Sequence, residues 1–230
     1  MHINAYKANI LKTFDKRTDA DVVNGFAWYG QAREQARSLA SEFGISLKTA
    51  CDVIAALSPN NRWTRNVADA WKVCRTWRDS GLFPFDDEKT MSIEAFNFTM
   101  LHEKIINCKV GTYTRNKRKA FAILAGLDTL SGQKVTAFSD AISGKFESVT
   151  VDVHAFSIAN GVRYTTKDCP QINKREYQTI ARAYTLAANH IVSKGQAKTL
   201  KPSELQSICW VVWRRLHNIA YAVESTAKLF

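Results

Sequence analysis

Two residues of opposite chemistry stand eighteen positions apart in the middle of the chain: Lys134, a primary amine, and Asp152, a carboxylate. A deprotonated amine is a nucleophile that can attack an electrophilic carbon and hold it as a Schiff base. Deprotonation requires burial or neighbouring cations. A carboxylate close by can stabilise a developing positive charge or assist proton transfer. The plainer readings are a solvated surface lysine and a helix N-cap. The two aspartate roles are compatible, because backbone amides at a helix start favour the charged form of a capping carboxylate.

The elements that must position this pair lie between Leu130 and Gly161. Ser131-Gly132 form a turn, and apolar side chains from Val135 to Ile142 recur at helical spacing until Ser143-Gly144 end the run. The apolar stretch Val149-Thr150-Val151 then leads to Asp152-Val153-His154 at the mouth of a second helix that reaches Asn160. Both groups thereby fall at element edges, where an amine and a carboxylate can face a common cleft.

Elsewhere the periodicity is also helical. Residues 1–24 are mixed and carry no clear pattern. Phe26, Tyr29, Ala32, Ala36, Leu39, Ala40 and Phe43 predict an amphipathic helix stopped by Gly44. Ser46 caps a second helix to Leu57, Ser58-Pro59 break it, and a third runs from Trp63 to about Gly81 after the polar turn Asn60-Asn61-Arg62. A loop at 79–91 and a helix from Ser92 to Asn107 follow. The segment Gly111–Lys119, a loop or a helix start, carries four cations and no acid, ahead of a helix from Ala120 to Leu127. Asn173–Ser193 and Ser203–Glu224 are long helices, the last opened by Pro202 and a capping box Ser203-x-x-Gln206. The expected class is all-α.

At 46% hydrophobic and 23% charged, with 10 Gly and 4 Pro in 230 residues, the chain has the composition of a helical globular protein rather than a disordered one. A formal net charge of +11 and a pI near 9.5 imply a polyanionic partner, nucleic acid first. No apolar run approaches the roughly 18 residues of a membrane span, and the N-terminus lacks a signal-peptide core, so a cytoplasmic or nucleoid-associated protein is expected. Five scattered cysteines, with Cys51, Cys74 and Cys209 on apolar helical patterns, predict buried free thiols in a reducing compartment. The absence of any Cys-x2-Cys pair argues against a zinc ribbon, and neither metal nor cofactor is expected.

The turn with Gly132, the Lys134-Val135 helix start and the Val151-Asp152-Val153-His154 run together resemble the helix-hairpin-helix DNA glycosylase/lyase superfamily, most closely 8-oxoguanine DNA glycosylase and endonuclease III. The resemblance spans roughly Ala50 to Gly161 and, more weakly, to Arg215. The hairpin departs from the family's Leu-Pro-Gly-Val-Gly: here it reads Asp128-Thr129-Leu130-Ser131-Gly132, and the four-cysteine iron–sulfur loop of endonuclease III relatives is missing. The resemblance implies two helical lobes, one from about 45 to 146 with the hairpin and one combining 1–44 with 147–230, around a central DNA-binding cleft.

It further implies a monomeric DNA N-glycosylase and AP lyase of base excision repair that flips a damaged or modified base out of double-stranded DNA. Lys134 would be the nucleophile and Asp152 its partner. Asn60, with Asn61 beside it, would fill the hole left by the flipped base, the alternative being an ordinary Asx turn. Gln206 and Trp210, four apart on one helix face, would read and stack that base, although Trp210 and Trp213 also suit a core. Arg62, Arg65, Arg115, Lys117, Arg118, Lys119 and Gly132 would contact DNA. His154 is either a further phosphate contact or a core histidine. Two other functions suit the same features: a base-modifying enzyme on hypermodified phage-type DNA, working in the host cytoplasm, and a non-catalytic DNA-binding protein.

Overall fold

The computed structural model describes residues 2–80 and 105–219. Among these, every regular element is a helix: α1 (Ile3–Phe14), α2 (Asp19–Phe43), α3 (Leu47–Leu57), α4 (Trp63–Asp79), α5 (Thr114–Leu124), α6 (Gln133–Ser143), α7 (Val153–Asn160), α8 (Lys174–Ser193) and α9 (Pro202–Leu216). Most of the loop expected at 79–91, most of the helix expected from Ser92, and the end of the last helix lie outside the described residues.

Local chemistry accounts for several boundaries. Ser46 Oγ accepts the Thr49 amide at 3.0 Å and Asn173 Oδ1 accepts the Glu176 amide at 2.9 Å, each satisfying a donor at a helix start. At the head of α2, Thr18 and Asp21 form a reciprocal box: the Thr18 amide donates to Asp21 Oδ2 at 2.8 Å and the Asp21 amide to Thr18 Oγ1 at 3.2 Å. The capping box expected at Ser203 and Gln206 is displaced. The Lys201 amide donates instead to Glu204 Oε2 at 2.7 Å, and Ser203, fully buried inside the first turn, donates its hydroxyl to the Phe146 carbonyl at 2.9 Å. Helix α5 starts at Thr114, six residues before the apolar pattern that announced it.

The chain divides into two compact units, a terminal unit of Met1–Glu34 with Gly132–Phe230 and an inner unit of Gln35–Ser131. Helix α6 therefore belongs with the terminal segments and not with the inner lobe to which the resemblance assigned it. Lys134 and Asp152 consequently share one unit.

In the terminal unit, α1 packs against α7, α8 and α9. Its buried positions Tyr6, Ile10, Thr13 and Phe14 recur at helical spacing, and Lys7, Asn9 and Lys12 between them disguise the stripe. The core beneath it holds Phe156, Ile158, Ile180, Tyr184, Ile191 and Val212. Burying one large apolar side chain is worth about 1.5–3 kcal/mol, so Tyr6, Ile10 and Phe14 together suffice to fix a helix that local propensity does not announce. Helix α9 is clamped to α2 at two levels. Arg215 binds the buried Asp21 carboxylate through Nε at 3.0 Å and Nη2 at 2.8 Å. Burial works against that carboxylate, but Arg215 and the Thr18 amide and hydroxyl hold its pKa below the usual range. At the second level the backbones meet: Ser207 Oγ donates to the Gly25 carbonyl at 2.7 Å, and a Cβ on Gly25 would come within 2.5 Å of Ile208 Cα.

In the inner unit, α3 is buried from Ala50 to Leu57 and packs on both α4 and α5. Phe43 meets Trp71 edge-on at 5.5 Å, and the buried Trp77 tilts against Phe121 at 6.4 Å. Cys51, Cys74, Cys108 and Cys209 are buried free thiols, and Cys169 is a half-buried one.

Two glycines of α2 test the crossing. Gly25→Ala forces a methyl into the α9 backbone and is expected to cost about 2–3 kcal/mol. Gly30→Ala, with nothing within 4 Å of the new Cβ, is expected to gain about 0.5–1 kcal/mol from helix propensity. Thermal denaturation of both variants reads the difference; equal melting temperatures would show that α2 and α9 do not touch at Gly25.

Candidate functional site

Gly132, at φ 98°, is the N-cap of α6 and turns the chain so that Lys134 becomes the second helical residue, on the positive end of the helix dipole. Lys134 is solvent-exposed, so desolvation, one of the two routes to a free amine, is not what this position offers. Asp152 is the N-cap of α7. Its Oδ1 accepts the amides of His154 at 3.0 Å and Ala155 at 2.8 Å, while Oδ2 has no hydrogen-bond partner among the described residues. The N-cap reading of Asp152 is correct, and one carboxylate oxygen is left over for other work.

A single buried phenol joins the two ends. The Tyr177 hydroxyl donates to the Val149 carbonyl at 2.9 Å, lies 3.3 Å from the Gln133 carbonyl, and accepts the Val151 amide at 3.1 Å. It thus pins the residue before Lys134 to the segment that ends at Asp152. Burial pushes its pKa up to about 12, against the Val151 amide and with the Asp152 charge, so the hydroxyl keeps its proton at neutral pH.

Lys134 and Asp152 form no ion pair with each other, and the charges of both act on His154 and on Cys169. His154 is half-buried, and its Nδ1 is buried without a hydrogen-bond partner. Its pKa lies below the usual histidine value. Burial is the main cause, opposed by Asp152 and reinforced by Arg214, Lys134 and Arg163.

The two residues expected to read a base take different roles. Gln206 is 5% exposed and its oxygen accepts the Tyr29 hydroxyl at 2.9 Å inside the core. It does not present itself as expected, because the Tyr29 hydroxyl, itself fully buried, needs an acceptor. Trp210 remains half-buried. It lies 6.0 Å from Trp28 and 6.4 Å from His154, with the Arg214 guanidinium 4.6 Å over its ring. Trp213, by contrast, belongs to the core.

The inner unit carries the second group. Asn60 is exposed at the tip of its turn in a left-handed conformation, φ 56°, and donates to the Tyr113 hydroxyl at 3.0 Å. Asn61 is not beside it as a second wedge. Its amide donates to Asp69 Oδ2 at 2.8 Å, its oxygen accepts Arg65 Nε at 2.9 Å, and Asp69 in turn receives the Gly111 amide at 3.0 Å. Arg65, exposed, lies so close over Gly111 that a Cβ there would meet its Cδ at 2.4 Å. This network locks the turn at Asn60 to the loop that carries Tyr113.

The basic run splits by environment. Lys117 is buried and donates to the Cys108 carbonyl at 2.8 Å, and Lys119 bonds Asp128 at 2.5 Å and the Thr129 carbonyl at 3.2 Å. Neither is available as expected for DNA, since each satisfies an acceptor of its own unit. Arg62, Arg115 and Arg118 are exposed, and Arg115 lies over the Tyr113 ring at 5.6 Å. Tyr113, 52% exposed, was missed by the sequence reading; the signal was an aromatic inside a basic run.

Among the described residues no group of three or more His, Cys, Asp or Glu side chains stands ready to hold a metal ion, and no helix is long and apolar enough to cross a membrane. A groove of about 660 Å³ lined by residues including His2, Tyr6, Asn173, Arg175 and Arg182 contains neither Lys134 nor Asp152.

The family model for DUF7178 matches residues 1–217, which includes every residue of both groups. The chain belongs to DUF7178, a family of unknown function. No curated protein and no solved structure matches this DUF7178 member.

Two measurements test the site as built. Tyr177→Phe keeps the ring but leaves the Val151 amide and Val149 carbonyl unpaired, with an expected loss of about 1–3 kcal/mol in denaturant unfolding. A loss below ~0.3 kcal/mol would mean that the hydroxyl holds nothing. For His154 the folded-state pKa is depressed, so on acidification the unfolded chain binds its proton first. The stability tied to neutral His154 is present above about pH 6.5 and declines below it. His154→Gln is expected to flatten the fall in melting temperature between about pH 6.5 and 5, leaving the smaller share of the similarly depressed His217. An unchanged slope would assign the fall to other groups.

Proposed function

We propose that this chain is a DNA glycosylase with associated AP lyase activity, a monomer on a helix-hairpin-helix scaffold that acts on a damaged or modified base in double-stranded DNA. The observation that carries the reading is that Lys134 and Asp152 are presented from two helix starts that the Tyr177 hydroxyl links. An amine and a carboxylate so presented on a strongly basic chain suit chemistry at the sugar of a nucleic acid.

In this reading the free amine of Lys134 attacks C1′ of an extruded nucleotide. The C1′–N bond breaks, and the base leaves with the electron pair and takes up a proton. The adduct opens to a Schiff base, and loss of a C2′ proton with cleavage of the C3′–O bond cuts the strand. Asp152 Oδ2, the oxygen its cap does not use, stabilises the positive charge that develops on the sugar. Trp210 offers a face for the base, and Asn60 with Tyr113 fills the space that the base vacates. Arg62, Arg65, Arg115, Arg118 and Gly132 contact DNA, and His154 is either a further phosphate contact or a core histidine.

One observation favours the non-catalytic alternative: Lys134 is exposed. Borohydride trapping on oligonucleotides carrying oxidised, alkylated or hydroxymethylated bases decides between them. The wild type is expected to form a covalent adduct and Lys134→Gln to form none while still binding DNA; an adduct of equal yield in the variant removes Lys134 from the role. Base alteration without an abasic site would point instead to a base-modifying enzyme. Binding should also separate the basic residues. Arg115→Gln and Arg118→Gln should each lower the slope of log K against log salt by about 0.9, and Lys119→Gln should leave it unchanged. An equal effect of all three would mean that the Lys119–Asp128 contact does not hold.

A further inference from the structure

The groove of about 660 Å³ lies within the terminal unit and belongs to neither group of site residues. Its volume falls in the range of about 300–1,000 Å³ common for small-molecule sites. From α8 it takes Arg175, Gln178, Thr179 and Arg182, which recur at three, four and seven and so share one helix face. From α1 it takes Ile3 and Tyr6. At about 1.5 Å per residue, Arg175 and Arg182 stand roughly 10 Å apart along the helix axis. Both nevertheless line one groove.

The fold makes no use of these two arginines. Both are exposed, and neither guanidinium has a hydrogen bond or ion pair among the described residues. Arg215, by contrast, is spent on Asp21, and Arg65 on Asn61. Glu176 is the one carboxylate among the described residues that line the groove. The buried Tyr6 hydroxyl donates to its Oε1 at 3.1 Å, which fixes the carboxylate and leaves Oε2 without a hydrogen bond among the described residues. Asn173 gives its side-chain oxygen to the Glu176 amide at 2.9 Å and keeps its amide nitrogen as a donor. Guanidinium groups suit phosphoryl oxygens, which accept their charged donors in pairs. Glu176 acts the other way: it repels a bare anion and accepts from a hydroxyl or amino group.

We propose that this groove binds a small phosphorylated molecule bearing hydroxyl groups, its phosphoryl oxygens on Arg175 and Arg182 and a hydroxyl on Glu176 Oε2. Such a ligand comes from one of two sources, a sugar phosphate or a nucleotide. The groove contains neither Lys134 nor Asp152, so the site holds whether or not the chain acts on DNA.

Titration calorimetry on the intact chain at fixed ionic strength tests it with four probes: ribose 5-phosphate, adenosine 5′-diphosphate, inorganic phosphate and adenosine. One or both of the first two should bind about tenfold tighter than inorganic phosphate and than adenosine. Preference for ribose 5-phosphate assigns the groove to sugar phosphates, and preference for the diphosphate assigns it to nucleotides. Arg175→Gln and Arg182→Gln, both at exposed positions, should each weaken that binding about fivefold while melting at the wild-type temperature. Glu176→Gln keeps an acceptor for Tyr6 and should tighten inorganic phosphate, narrowing the preference. Arg75→Gln, at an exposed position of α4 in the inner unit, should change nothing. A loss there equal to that of the groove arginines would make the binding the diffuse attraction of a basic chain and overturn the site. Inorganic phosphate or adenosine held as tightly as both phosphorylated probes, or no binding at millimolar concentration, overturns it too. Weaker duplex-DNA binding by the groove variants, with neither phosphorylated probe bound, would give the groove to a DNA strand and likewise end the proposal.

Discussion

The Tyr177 hydroxyl is the contact on which the arrangement of this site depends. It lies within hydrogen-bonding distance of three backbone groups, from residues 133, 149 and 151, that are far from it in sequence and from two separate segments. Its own position is fixed because α8 carries fully buried side chains at Ile180, Ala183, Tyr184, Ala187 and Ile191, a stripe that cannot rotate without exposing the core. A phenol held protonated by burial is a constant donor at neutral pH. The starts of α6 and α7 are therefore set by one rigid helix and not by the short turns that precede them, and Lys134 and Asp152 inherit that geometry.

Polar groups in this protein divide into those that hold the fold and those left at the surface, and residue type does not predict which is which. Asp21 with Arg215, Gln206 with Tyr29, and Asp69 with Asn61 and Gly111 are inward pairings. Each satisfies a buried group that would otherwise cost about 1–3 kcal/mol. Arg62, Arg115 and Arg118 on the inner unit and Lys134 and Arg163 on the terminal one stay at the surface.

Asp152 shows how one group serves two ends. Its Oδ1 closes the first turn of α7, which keeps the carboxylate in place, and Oδ2 takes no hydrogen bond among the described residues. A catalytic or ligand-binding carboxylate gains from this arrangement, because its orientation is settled before any substrate arrives. Lys134 has no comparable support. It is an exposed side chain on a well-fixed backbone, so the position of its amine is determined only as far as its Cβ.

The all-helical class, the caps at Ser46 and Asp152, the helices α3, α6, α7 and α8 and the buried thiols were legible in the amino-acid sequence, because capping and apolar periodicity are decided by neighbours within one helical turn. Helix α1 escaped because polar residues interrupt its buried stripe, and its stability comes from α7, α8 and α9. The cap of α9 slipped because Ser203 found the Phe146 carbonyl, 57 residues away, a better partner than the amide three residues on. Asn61, Lys117, Lys119 and Gln206 carried the right chemistry for a surface role, but Asp69, Cys108, Asp128 and Tyr29 claimed them. Sequence by itself determined which segments are helices and which side chains are chemically capable. Only tertiary structure decided which of those side chains are free to act, because a hydrogen bond between residues up to 177 apart leaves no local pattern to read.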